Sequence, residues 1–341
     1  MAPTAPLRIA VIGCGDIGDL HLRLIRAQTD AVLVAVADTD ERTCRSVAAR
    51  FSVAGYTDYR EMLETETVDV VHLCTPHHLH VEMAIACLDR DVNVLTEKPV
   101  ATTVSDAHRL IDAASRSRAQ VGVCFQNRYN PTSRALCEAI RSERFGPSLG
   151  AVASVTWFRD SSYYLAKPWR AREETAGGGV LINQAIHTLD LLQWFLGDPV
   201  DVQGRASTLL LRDTIEVEDN ATIVLTHPAG QRSIFFATNN YADNAPVTIE
   251  VQTESATLRL STDLTVIHRD GRHEILATER RLTGEKAYWG ESHGLLIADF
   301  YRHVRAGEPF WIDAAEATKT LSIIRAVYEQ SAEAGASHVT A

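Results

Sequence analysis

The sequence predicts an α/β chain: an N-terminal doubly wound parallel sheet, then an α+β domain with a broad, open, mainly antiparallel sheet. Three observations carry this. Through Phe125, short runs of Val, Ile, Leu and Ala alternate with helix-patterned stretches. Those runs lack polar alternation, as strands buried on both faces do. From Val200 to Thr278 the chain becomes β-rich, and turns such as Pro228-Ala-Gly230 and Arg269-Asp-Gly271 join neighbouring runs as hairpins.

The first strands are expected at Leu7–Ile12, Val32–Ala37, Val68–Cys74, Val92–Leu95 and Gln120–Cys124. Helices fit between them at Asp16–Gln28, Asp40–Phe51 and His77–Arg90, and a fourth opens with Ser105 as N-cap. Pro131–Arg144 reads as a helix, Ala151–Phe158 as a strand, and Leu181–Leu196 as a long helix closed by Gly197-Asp-Pro199. Seven strands follow: Val202–Leu211, Ala221–Thr226, Ser233–Thr238, Val247–Gln252, Thr257–Leu260, Thr265–His268 and Glu274–Ala277. Helices near Ser292–Arg305 and Ala314–Glu333 end the chain. The expected domains are 1–126 and 127–341, with the helix 314–333 placed to pack back on the first.

The 341 residues include 33 basic and 44 acidic side chains, a net charge of −11. Such a balance argues against a nucleic-acid or anionic-membrane surface, which would need a basic stripe. No run is long and apolar enough to span a bilayer, and residues 1–6 lack a charged stretch ahead of an apolar core, so the expected location is the cytoplasm. Six cysteines, at 14, 44, 74, 87, 124 and 137, include no CxxC pair and read as buried reduced thiols. No Cys/His spacing fits zinc.

Gly13-Cys-Gly15-Asp-Ile-Gly18 has GxGxxG spacing between a predicted strand and a predicted helix. That context marks a Rossmann dinucleotide site. Gly13 permits the tight turn, Gly15 lets a pyrophosphate approach, and Gly18 lets the helix lie close to the sheet. The first helical N–H groups, at Asp16 and Ile17, are available to phosphate. Asp38 ends the second strand 20 residues beyond Gly18, where a carboxylate would bind both adenosine ribose hydroxyls and repel a 2′-phosphate. NAD is therefore expected over NADP, with Arg42 close by. The competing reading makes Asp38 only the cap of the next helix.

Lys98, in Thr96-Glu97-Lys98-Pro99, follows a strand and so faces the crevice at the carboxyl ends of the sheet. Asn183, His187 and Asp190 fall at i, i+4 and i+7 of an otherwise apolar helix and share a face there. Three aligned polar groups on such a helix favour a site over a structural histidine.

These motifs resemble the Gfo/Idh/MocA oxidoreductases, the group that includes glucose–fructose oxidoreductase and inositol dehydrogenase. Four matches in order carry the resemblance across nearly the whole chain: Gly13–Gly18, Thr75-Pro76-His-His-Leu-His80, Glu97-Lys98-Pro99, and Gly177-Gly-Gly…His187-Thr-Leu-Asp190. It implies a cis Lys98–Pro99 peptide, Lys98 bonded to the reacting hydroxyl and His187 as general acid/base. Asn183 stands where the family often has aspartate, and an amide orients an imidazolium without stabilising its charge. Thr75, Pro76, His80, Glu97, Gln126 and the Trp169-Arg170 pair are implied at the cofactor. Arg128 and Tyr129 are implied at the substrate. His77, His78 and His80 are read as a non-metal cluster. The open sheet implies a homodimer or homotetramer.

The resulting expectation is an NAD-dependent dehydrogenase acting on a secondary alcohol of a small polyhydroxylated substrate, a sugar, glycoside or cyclitol, with no metal. The alternatives are a glycosidase that retains NAD and works by transient oxidation, and a non-catalytic sugar or NAD sensor. Lys98 and His187 together argue against the sensor, which needs no acid/base pair.

Overall fold

A computed structural model describes residues 5–279 and 292–337. Two compact units are present: 1–126 with 291–318, and 127–290 with 319–341.

The first unit is built on six parallel strands: β1 (Leu7–Ile12), β2 (Ala31–Ala37), β3 (Ala54–Tyr56), β4 (Val70–Leu73), β5 (Asn93–Thr96) and β6 (Val121–Val123). Their spatial order, β3-β2-β1-β4-β5-β6, is that of a doubly wound dinucleotide fold, in which the strand order, not the strand direction, reverses between β1 and β4. The unbroken apolar runs have their expected cause. Every residue of β4 is buried, as are the last four of β1. Strand β3 and the helix Tyr59–Thr65 have no counterpart in the sequence reading. Ala54-Gly-Tyr56 offers no branched residue, and β3 is an edge strand.

Two local expectations are corrected here. The helix Val104–Arg116 is capped by Thr103, not Ser105. Asp106 N–H donates to the Thr103 hydroxyl (3.1 Å), which in turn donates to the Asp106 carboxylate (2.8 Å), a reciprocal cap that starts the helix earlier. Residues 291–318, assigned to the second domain from sequence, belong to the first unit. Gly122 on β6 explains why: a Cβ there would meet the Phe300 ring at 2.7 Å and Phe310 at 2.9 Å. The missing side chain lets the helix Ser292–Ala306 lie against the sheet, and Val123 N–H then donates to Ile312 C=O (2.9 Å).

The second unit holds eight strands: β7 (Ser148–Thr156), β8 (Asp201–Ser207), β9 (Asn220–Thr226), β10 (Arg232–Thr238), β11 (Thr248–Thr253), β12 (Ala256–Leu260), β13 (Asp263–His268) and β14 (His273–Thr278). They form one sheet in the order β14-β13-β12-β11-β7-β10-β9-β8, antiparallel except for the β7/β10 pair. One face alternates inward: Ala151, Ala153 and Val155 on β7, and Ile249 and Val251 on β11, are buried. The helices Pro131–Arg141 and Ile186–Leu196 pack on the sheet. On the other face, paired residues Val152 (55% exposed) and Ile234 (48%) lie side by side in the open. All six cysteines are buried free thiols. Among the described residues, no helix is long and apolar enough to cross a membrane.

Candidate active site

The carboxyl ends of β1, β2, β4 and β5 carry the sequence-predicted cofactor residues from Gly13 to Lys98, while Gln126 follows β6 and Trp169 and Arg170 lie in the second unit. Gly13 has φ +92°, and a Cβ there would sit 2.5 Å from the Cys74 carbonyl oxygen. A Cβ on Gly18 would be 2.0 Å from the Gly13 carbonyl oxygen. Packing alone therefore requires two of the three glycines. Gly15, the N-cap of the helix Asp16–Arg26, supplies no side-chain cap, so the first N–H groups of that helix face out past exposed Asp16 and half-buried Ile17.

Asp38 is locked over this turn. Its carboxylate accepts from Cys14 N–H (2.8 Å) and from Asp40 N–H (2.9 Å). It does not cap the next helix. Asp40 does, accepting from Thr43 N–H at 2.7 Å. Across the turn, the Thr75 hydroxyl is buried with no hydrogen-bond partner among the described residues. An uncapped helix N-terminus, an oriented carboxylate at the end of β2 and an orphaned hydroxyl after β4 fit a dinucleotide.

Lys98 is the one accessible residue in the otherwise buried stretch 94–101. Its neighbours are pinned from both sides, and the Lys98–Pro99 peptide is cis. The buried His80 lies with Nδ1 2.8 Å from the Pro99 carbonyl oxygen and Nε2 2.9 Å from that of Thr75, tying the loops after β4 and β5 together. Glu97 turns its carboxylate inward, where His21 Nε2 lies at 3.0 Å and His293 Nε2 at 3.7 Å. Burial would raise this carboxyl, yet the two histidines hold it well below the usual carboxylate range.

The chain of contacts continues inward. His21 Nδ1 meets His72 Nδ1 at 2.8 Å, and His72 Nε2 meets the Tyr301 hydroxyl at 2.8 Å. With Glu97 ionised and the His72 ring neutral, one proton order satisfies every link. Tyr301 O–H donates to His72, His72 Nδ1–H to His21, and His21 Nε2–H to Glu97. Burial, then His21, push the His72 pKa well below its ordinary value, which agrees with a neutral ring. His21, Glu97 and Cys124 could also present ligand atoms to a metal, lying within 4.8 Å of one another. Burial pushes the Cys124 thiol well up and Glu97 pushes it further, so it stays protonated and donates to that carboxylate. His77 is buried, His78 is exposed, and His80 is committed to the two carbonyls.

In the second unit, the predicted helix begins as a π turn, Leu181–Ala185, before Ile186–Leu196. Between Val180 and Gln193 only Asn183 and His187 reach the surface. The expected third member of that face is corrected: Asp190 is 0% exposed. It takes a bidentate bond from Arg128, Nε at 2.8 Å and Nη2 at 2.7 Å. Arg128, expected at the substrate, is 1% exposed and bound into this pair, with Gln193 also accepting from it at 3.2 Å. Tyr129 is buried beneath the Arg134 guanidinium, 4.6 Å from its ring centroid, and Gln126 is buried as well.

Tyr163 was not anticipated, because nothing in its sequence context distinguishes it. Gln184 Nε2 donates to its hydroxyl at 3.1 Å, and Asn183 Nδ2 makes a longer contact of 3.5 Å. Arg170 stacks on the Tyr163 ring at 4.5 Å and on half-buried Trp169 at 5.6 Å. Its Nε is buried without a partner among the described residues, a donor left for an acceptor from outside.

Comparison with known proteins gives the family of this fold. The chain is 29% identical to D-apiose dehydrogenase of Paraburkholderia graminis, over 95% of this chain and 87% of that one. It is 27% identical to myo-inositol 2-dehydrogenase of Thermotoga maritima, over 66% of each. Its structure matches that of the WlbA dehydrogenase from Bordetella pertussis, solved with NADH and UDP-GlcNAcA, with TM-score 0.85 and 27% identity over 96% and 97% of the two chains. The family model for the oxidoreductase NAD-binding Rossmann fold matches residues 7–125, and the one for the GFO/IDH/MocA C-terminal domain matches 133–259. With its doubly wound sheet, its Lys98-bearing turn and its Asn183–His187 helix accounted for by those two matches in order, this chain is an oxidoreductase of the Gfo/Idh/MocA family.

Proposed function

We propose that the protein is a dehydrogenase for a secondary alcohol of a sugar, glycoside or cyclitol, working with NAD in preference to NADP. The observation that carries this is the pattern of access. Lys98, Asn183 and His187 are polar windows in stretches that are otherwise buried. Relatives named for apiose and myo-inositol support the substrate class. Neither alternative, retained-NAD glycosidase or sensor, has a specific observation in its favour.

The Lys98 ammonium donates to the reacting hydroxyl and favours its alkoxide. His187 takes the hydroxyl proton; its Nδ1 is buried, so Nε2 is the nitrogen that meets substrate. Asn183 orients the substrate and the ring without adding charge. Arg170 supplies the anion contact and Asp38 the ribose contact. The dinucleotide, when bound, supplies the hydride acceptor.

The test is a panel of sugars, glycosides and cyclitols scored by NADH absorbance, run in parallel with NADP. A turnover substrate is expected, with kcat/KM higher for NAD. Asp38→Ala is expected to narrow that preference, since it removes both the ribose contact and the repulsion of a 2′-phosphate. Preference for NADP in the unaltered protein would reverse the cofactor assignment.

We also propose a homodimer or homotetramer built on the open sheet face. Val224, Ile234 and Val152 run in one cross-strand row, with Val152 55% and Ile234 48% exposed. An apolar strip of this kind on a broad sheet needs a cover. Light scattering is expected to give a multiple of 37.5 kDa, falling toward the monomer in Val152→Glu/Ile234→Lys. A monomer at micromolar concentration before substitution would contradict it.

A further inference from the structure

The helix that bears Asn183 and His187 lacks a local cap. Val180, at its N-cap position, offers no side-chain acceptor. Three successive N–H groups there would be orphans in a buried setting. All three end on one residue from β9's approach, Glu218. Gly179 N–H donates to Oε2 at 2.6 Å, Leu181 N–H to Oε1 at 2.8 Å, and Val180 N–H to the Glu218 backbone carbonyl at 2.9 Å. The Tyr328 hydroxyl donates to Oε1 as well, at 2.8 Å.

The fit around this clasp leaves no slack. A Cβ on Gly179 would lie 1.8 Å from the Glu218 carbonyl oxygen, and one on Gly178 would lie 2.1 Å from the Tyr328 hydroxyl. Gly178 also has φ +147°. The glycine run is thus the space the clasp occupies. A negative charge at a helix N-terminus is favourable in itself. The neighbouring Asp219 serves another segment, and its carboxylate accepts from the N–H groups of Leu209, Leu210 and Leu211 at 2.7 to 3.1 Å.

We propose that Glu218 is a positioning residue: its carboxylate caps the π turn from the loop that precedes β9 and so sets the direction in which Asn183 and His187 point. This rests on the functional reading of those two residues. It also makes the helix start sensitive to pH. Burial pushes the Glu218 carboxyl up to about 7, against the pull of hydrogen bonds from Leu181, Tyr328 and Gly179. The groups that face it are few. Tyr328 comes from the helix Ala314–Ser337, and Arg325 of the same helix lies over the Tyr328 ring at 5.3 Å and donates to the Gly177 carbonyl at 3.4 Å. Asp219 precedes β9, and Tyr164 stands on the helix Ser161–Leu165. Protonation removes an acceptor site from the clasp, since a carboxylic acid keeps one oxygen as a donor.

The test is NMR of the full chain without substrate. The amide protons of Gly179 and Leu181 are expected to titrate together with a midpoint near 7, and the Asn183 side-chain amide and His187 ring signals are expected to follow the same midpoint. In Glu218→Gln that step should vanish, and kcat should fall by roughly 10- to 100-fold with dinucleotide affinity unchanged, the cost of a small misplacement. Should Glu218→Gln fail to fold, Tyr328→Phe removes one donor only and should move the midpoint upward. Amides that stay flat from pH 5.5 to 8.5 (roughly a unit and a half either side of neutrality), or that titrate while Asn183 and His187 stay put, would overturn the proposal. A clean amide titration in a protein that turns over nothing in the sugar panel would instead defeat the functional reading and leave the clasp standing.

Discussion

His187→Ala is expected to lower kcat by roughly 10²–10⁴-fold, the usual loss for a missing general base, with dinucleotide affinity nearly unchanged. The expectation follows from the helix on which it sits, where every side chain between Val180 and Gln193 is buried except Asn183 and His187. Lys98→Ala is expected to be at least as damaging, because it removes both a hydroxyl contact and a positive charge. The measurement is steady-state kinetics on the best substrate of the panel, with dinucleotide binding followed separately. Asn183→Asp adds a sharper reading. A carboxylate beside the ring would stabilise the imidazolium and move the acidic limb of kcat/KM to higher pH. If that limb stays where it was and His187→Ala remains active, the proton leaves by another route, with Lys98 the first residue to examine.

Asp190→Asn is expected to destabilise the second unit by about 3–5 kcal/mol, the cost of leaving a buried charge without its partner. Arg128 and Asp190 are 1% and 0% exposed, and the bond between them is bidentate. Gln193 and Thr320 join the pair, the latter donating to Asp190 at 3.2 Å. Urea unfolding followed by tryptophan emission measures it, since the Arg128 guanidinium lies 5.5 Å from the centroid of the Trp194 ring. The double variant Arg128→Met/Asp190→Leu should recover much of the loss, because it removes both buried charges. A single variant that loses less than about 1 kcal/mol would mean that water reaches the pair, as it reaches exposed pairs of that strength.

Strand β1 was legible in the sequence to the residue, because six apolar-rich positions in a row between a proline and a glycine admit little else. The placement of Gly13, Asp38 and Lys98 at strand ends was legible because each follows such a strand, and strand ends in this topology open on one crevice. The edge strand Ala54–Tyr56 was not legible, since it lacks branched residues and gains its place by pairing with β2. The cap of Val104–Arg116 was misplaced by two residues because Thr103 and Ser105 are both competent caps, and only the bond to Asp106 decides between them.

The site divides in the same way. Local chemistry in the sequence determined which residues are candidates to react: a lysine after a strand, and a histidine and an amide one helical turn apart. It could not separate Asp190 from Asn183 and His187, because spacing assigns a residue to a face and says nothing of what covers that face. Arg128 lies 62 positions away and turns Asp190 into half of a buried pair. The same holds for Glu97, whose role is decided by His21 from the helix after β1, and for Glu218, which closes a helix start 37 to 39 positions upstream. Carboxylates accept from whichever donors the fold delivers, and hydrogen bonds of that kind have no period in the sequence. The proposed reactive groups are written in the chain as residue types at strand and helix ends; what holds the surrounding structure in place is a set of long-range polar contacts that exists only once the layers have packed.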